Sequence, residues 1–128
     1  MFDGRDLDEA DRLVGGWQAG IAERASRARA LAERLSTLTA TARSDDGLVS
    51  VTIDSSGHLT DLVLEEGVRR RPAAVTARAI LAAVEAARGS LTAAVRVSTD
   101  ETVGAGTETG RAVIAAYERA GRADPADA

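Results

Sequence analysis

The chain lacks cysteine and lysine, and its 128 residues include a single histidine, His58. Without cysteine there are no disulfides and no thiolate metal ligands, and nothing argues for an oxidising compartment. One histidine cannot supply a histidine metal cluster. His58 lies in a predicted turn, and we interpret it as an ordinary turn residue. We therefore expect no metal and no cofactor.

Motifs for nucleotide chemistry are also missing. The glycines at 104, 106 and 110 have the wrong spacing for a dinucleotide-binding loop, and they follow a predicted helix rather than a strand. The paired acids at 45–46, 65–66 and 100–101 fall in predicted loops or at the ends of elements, where charges are solvated. We expect no enzyme activity and no small-molecule substrate.

Aromatic residues make up 2% of the chain, and alanine supplies much of the 45% hydrophobic content. Such a core buries little apolar area per residue and therefore stabilises the fold weakly. Small proteins of this kind are commonly stabilised by dimerisation. No apolar run approaches the ~20 residues needed to cross a bilayer. The acidic start, MFDGRDLDEADR, has no apolar segment typical of a secretory signal. We expect one domain over residues 1–122 and a disordered tail over 123–128, in a soluble cytoplasmic protein without membrane contact.

The clearest local pattern is the segment GLVSVTIDSSGHLTDLVLEEG, from Gly47 to Gly67. Apolar and polar residues alternate on both sides of a short polar turn, which predicts a β-hairpin over 48–65. A two-residue turn at Ser56-Gly57 would give three cross-strand pairs: Val49 with Leu64, Val51 with Leu62, and Ile53 with Thr60. Because an isolated ribbon is marginal in water, a partner subunit is expected to complete the sheet.

Helices are predicted on both sides of the hairpin, over 5–43, 72–100 and 107–120. The first carries a heptad repeat of apolar residues sustained over five repeats, which includes Trp17, Leu31 and Leu35. We interpret this helix as projecting and as pairing with a second copy or with the last helix. The predicted class is α+β, in the order α-β-β-α-α, as an intertwined dimer with a shared antiparallel sheet.

Charge is segregated along the chain although the net charge is only −4. Residues 20–43 and 69–96 are positive, while 1–19, 44–68 and 97–128 are negative. Arg24, Arg27 and Arg34 share one sector of the first predicted helix, and Arg69 to Arg71 cluster at the start of the second. Such clusters of cations are what binding to DNA phosphates requires. The candidate DNA-binding residues are Arg24, Arg27, Arg34, Arg69, Arg70, Arg71, Arg78 and Arg88. The alternative is that these arginines solubilise alanine-rich helices and pair with nearby glutamates.

The order of elements resembles the YbaB/EbfC family of nucleoid-associated proteins. The resemblance rests on the strand G-L-V-x-V-T-I-D, a small glycine turn, the strand x-L-x-x-L-x-L and the helix ARAILAAVEAARGSLTAAV, over roughly residues 20–100. It implies a nucleoid-associated homodimer with a joint sheet and tweezer-like helical arms that contact duplex DNA. The acidic N-terminal stretch and the last helix depart from that pattern.

No base-reading element such as a zinc finger accompanies these arginines, so DNA binding is expected to be largely independent of sequence. Secretion-associated proteins of type VII systems share a similar plan and act through protein partners. A dimeric adaptor or chaperone that binds a partner protein is therefore the alternative function.

Overall fold

The computed structural model describes residues 4–122, which form three α-helices and a three-stranded antiparallel sheet. The elements are α1 (Gly4–Ser36), β1 (Ala40–Arg43), β2 (Val49–Ile53), β3 (Leu59–Leu64), a 3-10 helix (Glu66–Arg70), α2 (Ala73–Thr102) and α3 (Glu108–Arg122). The predicted α+β class is confirmed, with one more strand than expected. The predicted tail over 123–128 lies outside the described residues.

The first helix is shorter than predicted, because the chain leaves it at Ser36 and forms β1 instead of continuing to residue 43. At this end the Thr37 hydroxyl donates to the carbonyl of Arg34 at 3.0 Å. Beyond it, Ala40 is buried while its neighbour Thr41 is exposed, which is the period-two pattern of a strand. The prediction of a helix to residue 43 was therefore wrong.

The predicted hairpin is formed by β2 and β3, and β1 pairs with the other side of β2 to give the strand order β1-β2-β3. The predicted pairs Val49–Leu64 and Val51–Leu62 are confirmed. Ile53 instead pairs with Leu59, through an irregularity next to Thr52, so the predicted pairing with Thr60 was wrong.

The shift arises in the turn, where Asp54 organises a longer loop than the predicted two-residue turn. Its carboxylate accepts hydrogen bonds from the amides of Ser56 at 2.9 Å and His58 at 3.0 Å. Its own amide donates to the His58 carbonyl at 2.9 Å. Gly57 has φ +84°, the left-handed conformation that glycine adopts without a steric penalty.

The core lies between the sheet and α2. Val49, Val51 and Ile53 on the central strand are all 0% exposed. They belong to one buried cluster with Ala83, Ala87, Leu91 and Val95 of α2, and with Leu31 and Leu35 of α1. The small alanines let the helix approach the sheet closely. By contrast, all six residues of β3 are exposed, so α2 covers β2 and leaves β3 as an open edge.

Most of α1 extends away from this core. Leu31 and Leu35, near its C-terminal end, are 2% and 6% exposed. From Asp6 to Ala30 every residue is exposed apart from Gly20, which is half-buried. At 1.5 Å per residue this segment is about 37 Å long. We call it, residues 6–30, the α1 arm.

The last helix, α3, folds back onto α2. Ile114 is buried, and the half-buried Tyr117 packs against the core cluster. Arg96 of α2 and Glu118 of α3 form an ion pair across the contact. The turn between the helices is tight because Gly110 lies against the carbonyl of Gly104. α2 is therefore the partner of α3 within the chain, whereas the prediction was that the first helix pairs with the last helix or with a second copy.

Candidate nucleic-acid interface

Three consecutive arginines, Arg69 to Arg71, lie between the end of β3 and the start of α2. They are not equivalent in the structure. Arg69 is exposed and pairs with Glu66 at 3.0 Å. Arg70 is exposed, and no carboxylate within the described residues lies at ion-pair distance from it. Of the three, Arg70 is thus the most available to an external anion.

Arg71 has a different environment, because its side chain is only 17% exposed. Its Nη1 donates to Asp46 Oδ2 at 2.5 Å, and its Nε donates to the Thr76 hydroxyl at 3.0 Å. The guanidinium therefore joins the loop before β2 to the first turns of α2. This contact uses Arg71 inside the protein rather than leaving it free for phosphate.

Asp46, the partner of Arg71, is held in its ionised form. The Ser44 hydroxyl donates to Asp46 Oδ1 at 2.6 Å, and the Leu48 amide donates to the same oxygen at 3.0 Å. Together with the Arg71 guanidinium, these donors lower the pKa of Asp46 from 3.8 to about 2. The charge of this loop is thus fixed at neutral pH.

The arginines predicted on α1 fall into two groups. Arg24 and Arg27 are on the exposed α1 arm, where Arg27 pairs with Glu23 at 2.5 Å and Arg24 donates to the Gly20 carbonyl at 3.2 Å. Arg34 lies at the base of the arm, and its guanidinium pairs with Glu101 at 2.5 Å. Of these three, only Arg24 has no carboxylate partner among the described residues.

The two arginines predicted on α2 also differ. Arg78 is exposed and has no ion-pair partner within residues 4–122. Arg88 is 30% exposed, lies 3.4 Å from Glu85, and lines a cleft of about 280 Å³ between the hairpin turn, α2 and α3. Arg78 therefore belongs with Arg70 near the start of α2, while Arg88 faces the side of the molecule that carries α3.

Within one chain the arginines do not form a single patch. Arg34, at the base of the α1 arm, meets Glu101 at the C-terminal end of α2, whereas Arg70 precedes its N-terminal end. The 30 residues of α2 span about 45 Å. The structure thus places Arg34 and Arg70 near opposite ends of this helix, with Arg88 near its middle.

The remaining candidate residues were predicted to form the core or a dimer contact. Val49, Val51, Ile53, Leu31 and Leu35 are buried in the core. In contrast, Leu62 is 40%, Leu64 43% and Trp17 65% exposed. A single chain does not cover these three side chains, so their part in a dimer stays a prediction.

Besides the ion pair of Arg34 with Glu101, sequence reasoning missed two charged contacts between distant residues that position arginines. One is the bond between Asp46 and Arg71, whose residues are 25 positions apart. The other joins Arg96 to Glu118 and fixes α3 on α2. Neither pair has a helical spacing, so no local pattern could have identified it.

Within residues 4–122, no group of His, Cys, Asp and Glu side chains is placed to hold a metal ion. None of the helices in the same range is long and apolar enough to cross a membrane.

Comparison with known proteins identifies a family for this chain. The profile of the YbaB/EbfC DNA-binding family matches residues 17–106, a segment that includes most of α1, the whole sheet and α2. No curated protein and no solved structure matches the sequence. The first turns of α1 and all of α3 lie outside the matched segment, which covers well over half of the chain. The chain belongs to the YbaB/EbfC DNA-binding family.

Proposed function

We propose that this protein is a dimeric nucleoid-associated protein that binds duplex DNA largely without sequence specificity, through the arginines of its helices. The observation that carries the proposal is the family match over residues 17–106, which contains every arginine predicted to contact DNA. The acidic first turns of α1 and the whole of α3 lie outside it. We accordingly place the protein at the nucleoid, in the cytoplasm.

A dimer is supported by the open edge of the sheet. Leu59, Leu62, Val63 and Leu64 of β3 are between 40% and 47% exposed. A long apolar edge strand is a template for pairing with another chain. A second copy that adds its own β3 would cover these side chains and extend the sheet to six strands.

The hydrogen bonding of β3 shows how this dimer can be tested. The Glu65 amide donates to the Leu48 carbonyl at 2.9 Å, and bonded pairs alternate along an antiparallel ladder. The Val63 amide therefore points towards β2, while the Leu62 amide points to the open edge. A proline at position 62 would remove an outward donor without breaking the ladder to β2.

We expect Leu62→Pro to lower the mass in sedimentation equilibrium from two chains to one. Leu62→Ala, which keeps the amide, is the matched control and should shift the equilibrium less. Circular dichroism would establish that both variants are folded. A wild-type protein that sediments as one chain at micromolar concentration would contradict the dimer.

DNA binding in the proposal relies on the arginines that the protein itself leaves free. Arg24, Arg70 and Arg78 are exposed and have no carboxylate partner among the described residues. Cations placed along a surface bind the DNA backbone by releasing counterions, which requires no contact with base edges. The net charge of −4 does not prevent these arginines from binding the DNA backbone, since the acidic residues are concentrated in other segments.

The test is a mobility shift with two double variants that remove equal charge. Arg70→Ala with Arg78→Ala removes free arginines inside the matched segment. Arg111→Ala with Arg119→Ala removes two exposed arginines from α3, outside it. We expect the first pair to weaken binding of an arbitrary duplex at least tenfold and the second to weaken it much less. Equal losses would show that binding follows net charge alone.

An adaptor that binds a partner protein is the second candidate, and the exposed apolar residues of the α1 arm favour it. Trp17 and Ile21 are 65% and 43% exposed there. Purification from a nuclease-treated lysate separates the two functions. A stoichiometric protein partner recovered without nucleic acid would favour the adaptor, whereas DNA binding by the purified chain favours the nucleoid function.

A further inference from the structure

The cleft of about 280 Å³ between the hairpin turn, α2 and α3 is built from one face of each helix. On α2 it is lined by Arg88, Leu91 and Thr92, which are spaced by about one helical turn and therefore share a face. The hairpin turn closes one side with Ser55 and Ser56. A concave space of this size at the meeting of three elements suits a small ligand.

The cleft is open because α3 presents small side chains to it. Ala116, Ala120 and Gly121 line the cleft, and none of them has a side chain larger than a methyl group. Elsewhere α3 is held firmly on α2, since Ile114 is buried and Glu118 pairs with Arg96. The space is therefore already formed in the folded chain, as is usual for ligand pockets.

Three hydroxyl groups in this cleft are available to a ligand. The hydroxyls of Ser56, Thr92 and Tyr117 line it and have no hydrogen-bond partner among residues 4–122. Ser55 differs, because its hydroxyl donates to the Ser36 carbonyl at 3.3 Å. A hydroxyl that the fold does not engage can rotate its hydrogen towards an acceptor in the cleft.

Arg88 is the cation of the cleft, and it is only weakly paired. Its Nη1 lies 3.4 Å from Glu85 Oε1, which is at the long end of hydrogen-bond distances. The Glu85 side chain is 68% exposed, and an exposed ion pair contributes little to stability. The guanidinium can therefore exchange Glu85 for an anion inside the cleft.

Two other acids near the cleft already have partners. Asp54 accepts hydrogen bonds from the amides of Ser56 and His58 within the turn. Glu118 pairs with Arg96 on α2. An anion that enters the cleft thus meets the Arg88 guanidinium and three free hydroxyls, and it has to displace only the exposed carboxylate of Glu85.

We propose that this cleft binds a small phosphate monoester that carries an apolar group. The planar guanidinium of Arg88 binds two of the phosphate oxygens, and the three free hydroxyls donate to the remaining acceptor positions. Leu91 and Ala116 provide the apolar wall against which the rest of the ligand packs. A phosphate has one more terminal oxygen than a carboxylate and so makes fuller use of these donors. The proposal rests neither on DNA binding nor on the dimer.

Tyr117 is the only tyrosine, so the whole chain labelled with fluorotyrosine gives a single fluorine NMR signal from the cleft. The probes are phenyl phosphate, inorganic phosphate and benzoate. We expect phenyl phosphate to shift this signal saturably, with half-saturation on the order of 1 mM, as is ordinary for so small a ligand. Inorganic phosphate lacks the apolar group and benzoate the additional oxygen, so each should need about tenfold more. An unsaturable response to phenyl phosphate, or tighter binding of benzoate, would overturn the proposal.

Two variants that remove equal charge show whether the probe binds in the cleft. Arg88→Gln removes the cation of the cleft, whereas Arg111→Gln removes an exposed arginine of α3 that does not line it. We expect Arg88→Gln to raise the half-saturating concentration of phenyl phosphate by about tenfold, because a charge-assisted hydrogen bond is lost. Arg111→Gln should change it little. Equal effects would show that the probe follows overall charge and would contradict the site.

Two further variants should act in opposite directions. Glu85→Gln releases Arg88 from its carboxylate and should strengthen binding of phenyl phosphate severalfold. Ala116→Leu fills the cleft, leaves every charge in place and should abolish saturable binding. Circular dichroism would establish that all four variants are folded. Binding that Ala116→Leu leaves unchanged, or that Glu85→Gln weakens, would place the probe elsewhere and overturn the proposal.

Discussion

Asp46 and Arg71 show how an arginine in a basic cluster can serve the fold. Arg71 is largely buried and bonded to both Asp46 and Thr76, whereas its neighbour Arg70 is exposed and has no ion-pair partner in the part of the chain that the structure describes. Replacing Arg71 removes the two contacts that join the loop before β2 to α2, whereas an exposed arginine usually contributes little to stability. The two neighbouring arginines should therefore respond differently to the same substitution.

We expect Arg71→Ala to lower the urea midpoint of unfolding, because it leaves Asp46 and Thr76 without their shared donor. Arg70→Ala should change the free energy of unfolding by no more than about 0.5 kcal/mol, as is usual for an exposed side chain. Urea titration of both variants at neutral pH tests this. Equal midpoints for the two variants would show that the Arg71 contact does not stabilise the fold.

Asp46 also makes the stability of the folded protein depend on pH in the acidic range. Its pKa falls from 3.8 to about 2 on folding, so its contribution is present above pH 3.8 and is lost as the pH falls towards 2. In Asp46→Asn this contribution is missing at neutral pH. We expect the stability difference between the wild type and this variant to narrow between about pH 4 and pH 2, measured by urea unfolding. A difference that stays constant over this range would contradict the lowered pKa.

At the scale of elements, the turn between α2 and α3 depends on a close approach. A Cβ atom at position 110 would lie 2.1 Å from the Gly104 carbonyl oxygen, while one at position 106 would meet nothing within 4 Å. Gly110→Ala should therefore destabilise the protein by about 1–3 kcal/mol, the usual cost of overpacking. Gly106→Ala, in the same turn, should change stability little. Thermal unfolding of the two variants makes the comparison, and equal stabilities would show that α3 can shift without cost.

The elements also show which parts of the fold the sequence could predict. The hairpin and two of its three predicted pairs were predictable from the apolar alternation of both strands, but the third pair was not, because the loop organised by Asp54 shifts the register. β1 was not, because Leu38 and Ala42 fit a helical spacing after Leu35 as well as they fit the alternation of a strand. Local patterns cannot decide such a segment, and its pairing with β2 does.

The residue types of the candidate interface were predictable from the sequence. Which of its arginines are available to bind DNA was not. Clusters of arginine are visible in the sequence, and all eight candidates lie in the segment matched by the family. Which of them are free depends on contacts between distant residues, such as Arg34 with Glu101 and Arg71 with Asp46. Those contacts exist only once the chain is folded.

At the scale of the whole molecule, the charge proposed to contact DNA lies within a chain that is acidic overall. Three candidate arginines, Arg24, Arg70 and Arg78, have no carboxylate partner among residues 4–122, and a dimer doubles that number. Because most of the acids lie in other segments, the arginines can act locally despite the negative net charge. The proposed dimer would thus engage the DNA backbone at about four to six phosphates.

The most direct test of this account is the affinity for a duplex of arbitrary sequence, measured by fluorescence anisotropy over a range of salt concentrations. Neutralising about four to six phosphates predicts a plot of log K against log salt with a slope of about −4 to −5. The slope should be the same for unrelated duplex sequences. A slope near zero, or binding confined to one sequence, would contradict the claim that free arginines hold the DNA backbone.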